Sequence, residues 1–389
     1  MYRITGNELA AYCRVVLLAL SAMISMNAYA GDCASDVDGD GVVGGSDITA
    51  VLSDWGGASS NGIASDIDGS GRVDGGDLAL LLASWNSCVQ VPSWATLLEA
   101  RPNSKVVTDP TLRAAIDASG LAWRVRDRAS GIEMLLVPAG TFMMGANPID
   151  SWGFPDESPV HLVKFANHFY LGRCEVTQGQ FEATMGFNPS WNVDEDQSIN
   201  ALRPVESTSY DLIGSFLEIT GFSLPTEAQW EYACRAGTTT PTYAQVGQDL
   251  GELAWYSPNS DWVTHPVGQK AANPLGFHDM LGNVWEWCAD WYGGYSDLVS
   301  IDPQGPAFGQ LRIIRGGSWY APTSNVRSPF RGAFASSGVL SDTGFVWRAS
   351  RNAYIPASRS ATSFSARASS SVSISPARSF CSANDCSTR

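Results

Sequence analysis

Charge is scarce in this sequence, and what there is leans one way. Charged residues fill 16 % of the 389 positions, against about a quarter in an ordinary soluble domain. Lys and Arg number 24 and Asp and Glu 39, so the formal net charge is −15. A chain short of cations has little with which to neutralise phosphates, which argues against nucleic acid as a partner. Histidine is scarcer. His161, His168, His265 and His278 include no pair three or four apart beside a carboxylate, the spacing of a zinc site. Beyond residue 30 no apolar run approaches the ~20 residues needed to cross a bilayer. In place of charge stand 38 Gly, 20 Pro and 14 Trp. Gly and Pro interrupt long helices and Trp fills irregular cores, so a helical bundle is disfavoured. A hydrophobic share of 44 % belongs to a folded chain, and the length suits two or three domains.

Arg3 and Arg14 precede an apolar stretch from Val15 to Ile24 that ends in Asn27-Ala28-Tyr29-Ala30. This is the pattern of an export signal over residues 1–30, cleaved after Ala30. No small-residue–Cys step stands at the cleavage point, so lipid attachment is not expected. The expectation is a secreted, periplasmic or cell-surface protein with no membrane span after cleavage. Cysteines can pair there. Loss of Cys13 leaves seven of the eight cysteines.

A repeat with a period of 30 follows. Asp36, Asp38, Asp40, Gly41, Val42 and Asp47 recur as Asp66, Asp68, Ser70, Gly71, Arg72 and Asp77, each unit running into an apolar helical stretch. Oxygen ligands at loop positions 1, 3, 5 and 12, a backbone carbonyl at 7 and Gly at 6 make a calcium loop. Ten Asp and one Arg lie between Gly31 and Cys88, a density of like charge that repels itself without cations. With no entering helix and Asp in the last position, these loops resemble dockerin modules, small all-α domains with two calcium loops. The resemblance implies two Ca²⁺, a cohesin-like or cell-surface partner and an anchoring role. It also implies neighbouring ends over residues 31–88, and with them a disulfide between Cys33 and Cys88.

Residues 89–120, with Pro92, Pro102 and Pro110, read as a linker holding a short helix over Thr111–Ile116 that stops at Gly120. Strand patterns follow at Glu133–Val137 and Thr141–Met144. Helical periodicity covers Tyr210–Thr220, stopped by Gly221. A second helix starts from the capping box Thr226…Gln229, ends at Gly237 and turns Trp230, Ala233 and Cys234 inward.

Five segments occur in order: Phe169-Tyr170…Glu175-Val176-Thr177…Phe181, Arg203-Pro204-Val205, Leu224-Pro225-Thr226-Glu227-Ala228-Gln229-Trp230-Glu231, Gly282-Asn283-Val284-Trp285-Glu286-Trp287 and Arg315-Gly316-Gly317-Ser318-Trp319. Residues 121–345 thereby resemble the formylglycine-generating enzyme (sulfatase-modifying factor) family. The resemblance implies an irregular α+β fold related to C-type lectins, with little regular secondary structure. It implies one further Ca²⁺ held by Asp279, Gly282, Val284 and Glu286, and a substrate groove at Ser318 and Trp285. In the family oxidase two cysteines after the Gly-Gly-Ser step bind copper, since soft sulfur holds Cu(I). Here those positions are Ala321 and Val326, so copper is not expected.

The last stretch changes character. Residues 346–389 hold 13 Ser, six Arg, one acidic residue and no Gly, although 38 Gly precede them. Family members close on a Gly-Phe-Arg-Leu-Ala type strand, and a one-base deletion there can yield Phe345-Val346-Trp347-Arg348. A frameshifted, low-complexity tail is the expectation, with Cys381 and Cys386 not part of the natural set. Three functions stand open: oxidation of a sulfatase cysteine, binding of a peptide or glycan without that chemistry, and a different reaction on the same scaffold.

Overall fold

Two apolar cores form in this chain, and the repeat accounts for the smaller one. In the computed structural model, which describes residues 35–37, 43–57, 64–68, 70–83, 89–147, 150–245 and 247–348, Val43, Val51, Val73 and Leu81 are buried. Val37, Ile48, Ile67 and Leu78 pack against them. These eight are four pairs thirty residues apart, so each repeat contributes the same half of one core. Ile48 and Val51 lie on helix α1 (Gly45–Ser53) and Leu78 and Leu81 on helix α2 (Gly75–Ala83), with the other four in the loops before them. The export signal, Cys33 and Cys88, the loop residues Asp38, Asp40 and Val42, and the tail from residue 349 lie outside the described residues.

The segment expected to be a linker belongs to the large domain. Strand β1 (Ala95–Glu99) pairs antiparallel with β2 (Arg124–Asp127), while Val89, Val91, Val107 and Ile116 are part of the large core. Its prolines mark element edges: Pro110 opens helix α3 (Pro110–Ala118) behind the Asp109 N-cap, where a missing N–H costs nothing. Strands β3 (Glu133–Val137), β4 (Gly140–Met144), β5 (His161–Phe165) and β6 (Phe169–Gly172) follow. Helices α4 (Gln178–Met185), α5 (Tyr210–Thr220) and α6 (Glu227–Arg235) come next. The chain returns to strands with β7 (Trp285–Trp291), β8 (Ser300–Ile301), β9 (Arg312–Arg315), β10 (Gly332–Phe334) and β11 (Thr343–Gly344). They form three small sheets, ordered β1-β2-β3-β6, β10-β9-β7-β11 and β4-β5-β8. The architecture is the irregular α+β one expected.

Helix α6 departs from the expected amphipathic pattern. Trp230, Ala233 and Cys234 are fully buried, but so are Glu227, Gln229, Glu231 and Arg235. It ends one residue early, with Ala236 rather than Gly237 as the left-handed cap (φ 47°). Its charges are paired. Glu231 accepts from Arg235 Nε at 2.8 Å, from Gly145 N at 2.9 Å and from Arg315 Nη2. Glu227 takes Arg331 through both Nε (2.6 Å) and Nη2 (2.8 Å). Burial alone would raise the Glu231 carboxyl, but Arg235 and Arg315 outweigh it and hold it below the usual range.

The fold also runs past the boundary expected at residue 345. Val346 and Trp347 are buried, and Trp347 packs on Phe222 and Phe216 at 4.4 and 5.1 Å between ring centres. Trp347 O accepts from Gly172 N at 2.9 Å, and Arg348 exchanges backbone hydrogen bonds with Ser223. The large apolar side chains carry the strand into the core whatever the composition downstream. The polar fit is poorer: Trp347 Nε1 and Arg348 Nε are buried without a partner.

Breaking the Glu231 pair leaves two buried guanidinium groups short of a counter-charge. Glu231→Gln should therefore cost about 3–5 kcal/mol, read as a lower denaturant midpoint for the large domain. A change under about 1 kcal/mol would show that the ion pairs are not what holds α6 in place.

Candidate functional site

The turn before β7 is built from backbone that few residues adopt. Asp279 (φ 56°), Gly282 (φ 82°) and Asn283 (φ 58°) all lie in the left-handed region. At 282 only glycine fits, because a Cβ would stand 2.3 Å from Trp255 O. This conformation gathers three buried carboxylates, Glu175, Asp279 and Glu286. Asp279 Oδ2 accepts from Gly268 N at 2.6 Å, whereas its Oδ1 is buried without a partner. Glu286 Oε2 accepts from Trp230 Nε1 at 2.6 Å. Glu175, whose role here was not expected from the sequence, accepts from Asn283 Nδ2 at 2.7 Å and Val284 N at 3.0 Å.

These acids act on one another. Burial, then Asp279 and Glu286, lift Glu175 well above the usual range. Burial, reinforced by Asp279, pushes Glu286 up to about 8, and burial pushes Asp279 up to about 6. Such a field favours a cation, and oxygen ligands around a tight turn suit a hard one. The Asp279 Oδ1 orphan is the observation that fits calcium here. The three acids are not drawn into a tight triplet, so an ion would also take oxygens from the backbone of the turn, where Gly282 and Val284 sit.

A tighter cluster lies in the second repeat. Oxygens of Asp66, Asp68 and Asp77 come within 4.8 Å of one another, the one such group among the described residues. Asp77 accepts from Asp74 N at 2.8 Å and Asp68 N at 3.1 Å. Asp47 does the same in the first repeat, accepting from Gly44 N and Val37 N, both at 2.7 Å. Asp66 Oδ2 accepts from Gly71 N at 3.0 Å and its Oδ1 is buried without a partner. Ser70 donates to Arg72 O at 3.1 Å, so loop positions 5 and 7 lie together. In the first loop Asp36 and Asp47 are described, the remaining ligand positions not.

At the expected groove, Ser318 is buried and donates to Asp342 Oδ2 at 2.8 Å, and Trp285 N donates to Asp342 O at 2.8 Å. His278 is engaged by Arg173 and Lys270 O. Ala321 and Val326 are both buried, and neither carries an atom that ligates a metal. The described cysteines, Cys174, Cys234 and Cys288, are unpaired. Burial pushes the Cys234 thiol up to about 12 and holds those of Cys174 and Cys288 well above the ordinary value. Burial disfavours the thiolate, the form a metal needs, at all three. The donor set does not fit copper. Sequence reasoning missed an exposed pair beside Ser318, Trp262 and Tyr320, 5.4 Å apart, with Asp261 and Trp262 both at positive φ.

Raised carboxyl values make stability pH-dependent. With calcium chelated, the contribution of Asp279 and Glu286 is complete below the ordinary 3.8 and 4.5 and is lost as pH rises through about 6 and about 8. The melting temperature of the large domain in chelator should fall across that window. A rise over the same interval would contradict the burial of these two acids in their protonated form.

Comparison with known proteins agrees with this geometry. The sulfatase-modifying factor enzyme 1-like domain model matches residues 123–352, more than half of the chain, and the dockerin type I domain model matches residues 34–84. The chain is 32 % identical over 240 residues to serine/threonine-protein kinase pkn1 of Chlamydia caviae, covering 55 % of this chain and 37 % of that protein. It therefore spans little more than a third of that relative. It is 27 % identical over 250 residues to the formylglycine-generating enzyme of Thermomonospora curvata, covering 48 % of this chain and 82 % of the enzyme. The structure of PvdO from Pseudomonas aeruginosa superposes with a TM-score of 0.51 at 28 % identity, covering 58 % of this chain and 97 % of PvdO. The chain belongs to the sulfatase-modifying factor enzyme 1-like family.

Proposed function

We propose that this is an exported binding protein: a sulfatase-modifying-factor domain that has lost the family oxidation and is positioned by a calcium-loaded dockerin module. The observation that carries this reading is the pair Ala321 and Val326, apolar and buried where the family oxidase places its copper cysteines. Copper needs thiolates to activate oxygen there, and of the remaining described cysteines Cys234 and Cys288 are buried in apolar surroundings that disfavour the thiolate. The groove around Ser318 and Trp285, with exposed Trp262 and Tyr320 at its side, is left to bind a peptide or glycan. Similarity to part of a protein named a kinase, as well as to a formylglycine-generating enzyme, fits a domain put to several uses. The alternative is an active oxidase or other enzyme of the family that uses a different mechanism, and formylglycine found in the assay below would favour it.

Calcium in this reading occupies both dockerin-like loops and the Asp279–Glu286 turn, and a cohesin-like protein is the partner of the loops. The clustered Asp charges of residues 36–77 are held together by the ions, so metal and folding of the module are coupled.

Calorimetric titration of the calcium-stripped protein should give three sites. Asp47→Ala with Asp77→Ala should remove two and unfold the module while the large domain persists, and Glu286→Gln should remove one. Unchanged stoichiometry in Glu286→Gln would refute the turn as a calcium site. A cysteine peptide carrying a sulfatase motif, incubated with the protein and copper, should stay unconverted by mass spectrometry. Formylglycine in that peptide would overturn the non-catalytic reading.

A further inference from the structure

A cavity of about 730 Å³ opens in the large domain away from Ser318, Trp285 and Asp342, and none of those three lines it. Part of its wall comes from the segment joining the module to the family domain. Glu99, Lys105 and Thr108 stand before residue 123, where the family match begins. The cavity is thus shaped by residues that the family pattern does not supply, and its reading does not depend on the function proposed above. Its volume lies within the roughly 300–1,000 Å³ of small-molecule sites.

The charge of the lining runs against that of the chain. Glu133 is shared by three arginines: Arg124 through Nη2 at 2.6 Å, Arg126 through Nη2 at 2.8 Å, and Arg173 through Nη1 at 3.5 Å. Glu99 answers Arg124 alone. Of the charged residues that line the cavity, Lys105, Arg124 and Arg173 are cationic and Glu99 alone is acidic, with Glu133 behind them, in a protein of net charge −15. Arg173 is the least compensated, because 3.5 Å is a poor contact and its Nη2 goes to a neutral ring. His278 Nδ1 lies 2.8 Å from Lys270 O, a carbonyl that only accepts, so the proton is on Nδ1. Nε2 therefore accepts from Arg173 Nη2 at 3.1 Å, which fixes the guanidinium plane without consuming its charge.

Two further donors have no protein partner. Trp123 and Tyr243 line the cavity and are 2 % and 3 % exposed, and both Trp123 Nε1 and Tyr243 Oη are buried and unpaired. A buried donor left unmade costs about 1–3 kcal/mol, so two of them beside an under-compensated arginine mark a place where acceptors belong. Thr108 and Gln248 add groups that both donate and accept. Gln248 Oε1 already takes Gln245 N at 3.1 Å, which leaves its NH₂. An inorganic anion would satisfy the arginine but not fill the space or answer the mixed donors. A ring bearing hydroxyls and one oxyanion does both, since Arg pairs a planar or tetrahedral oxyanion with two parallel N–H groups.

We infer that this cavity binds a small acidic saccharide, a hydroxylated ring carrying a carboxylate or sulfate, with Arg173 on the oxyanion and the Trp123 and Tyr243 donors on ring oxygens. The test is calorimetric titration of the full chain with D-glucuronate and, in a separate arm, D-glucose 6-sulfate, against D-glucose and inorganic sulfate. One of the two acidic sugars should bind at least about tenfold more tightly than glucose and than sulfate, and which one does so identifies the oxyanion. Arg173→Gln should weaken that binding about tenfold or more. Trp123→Phe, which removes the N–H and keeps the ring, should weaken it severalfold, as should Lys105→Ala at an exposed position that folding does not need. No binding of either acidic sugar at tens of millimolar overturns the inference. So does glucose or bare sulfate binding as tightly, or an affinity unchanged in all three variants.

Discussion

Arg315 is the residue on which the large domain turns. It is fully buried, and its two terminal nitrogens donate in four directions, to Glu231 and to the carbonyls of Ser328, Pro329 and Phe330, while Nε has no partner. It also lies over the Trp230 ring, 5.1 Å from its centre. One side chain therefore ties strand β9 to helix α6 and to the irregular segment that leads into β10. A charge buried this deeply is costly unless every group around it is matched. That is why Glu227, Arg331, Arg235 and Glu157 with Arg327 form ion pairs nearby. In a fold with three small sheets and short helices, such pairs replace the long ladders that fix larger elements.

The same economy shapes the turn of residues 279–286. Left-handed backbone at three positions, one of them usable by glycine alone, forces Asp279 and Glu286 inward and brings Glu175 against them. Positive φ in a non-glycine residue costs free energy and persists where surroundings over-determine it. Here the surroundings are hydrogen bonds from Gly268, Trp230 and Asn283 that leave one carboxylate oxygen over. Structure and charge thus meet at one place: the turn that sets the register of β7 is also where negative charge collects.

Ala321 and Val326 belong to the closed core. Val326 packs on Gly317, whose own Cβ would stand 3.0 Å from Val326 Cγ2, and Ala321 N donates to Ser318 O at 2.9 Å. Small apolar side chains at these two positions ask for no polar partner, so the core closes around them. Trp262 and Tyr320 stand exposed, and a cavity lined by Lys105, Arg124 and Arg173 opens beside β2 and β3.

Local signals in the sequence determined a good deal. Capping boxes at Thr226 and the stop at Gly221 set helix boundaries because both act within one turn. The thirty-residue period fixed the small core, since identical spacing places identical side chains on equivalent faces. Motif resemblance singled out the turn that carries Asp279 and Glu286, and both are buried there. Tertiary contacts decided the rest. Prolines made residues 89–120 read as a linker, and only pairing with β2 shows that they begin the domain and wall a cavity. Composition placed Val346 and Trp347 outside the fold, yet Phe216 and Phe222 receive them. Glu175 joined the acid cluster from more than a hundred residues away. Spacing along a chain carries no information about partners that meet only when strands of two sheets close on one helix, and there the buried charges of α6 find their counter-charges.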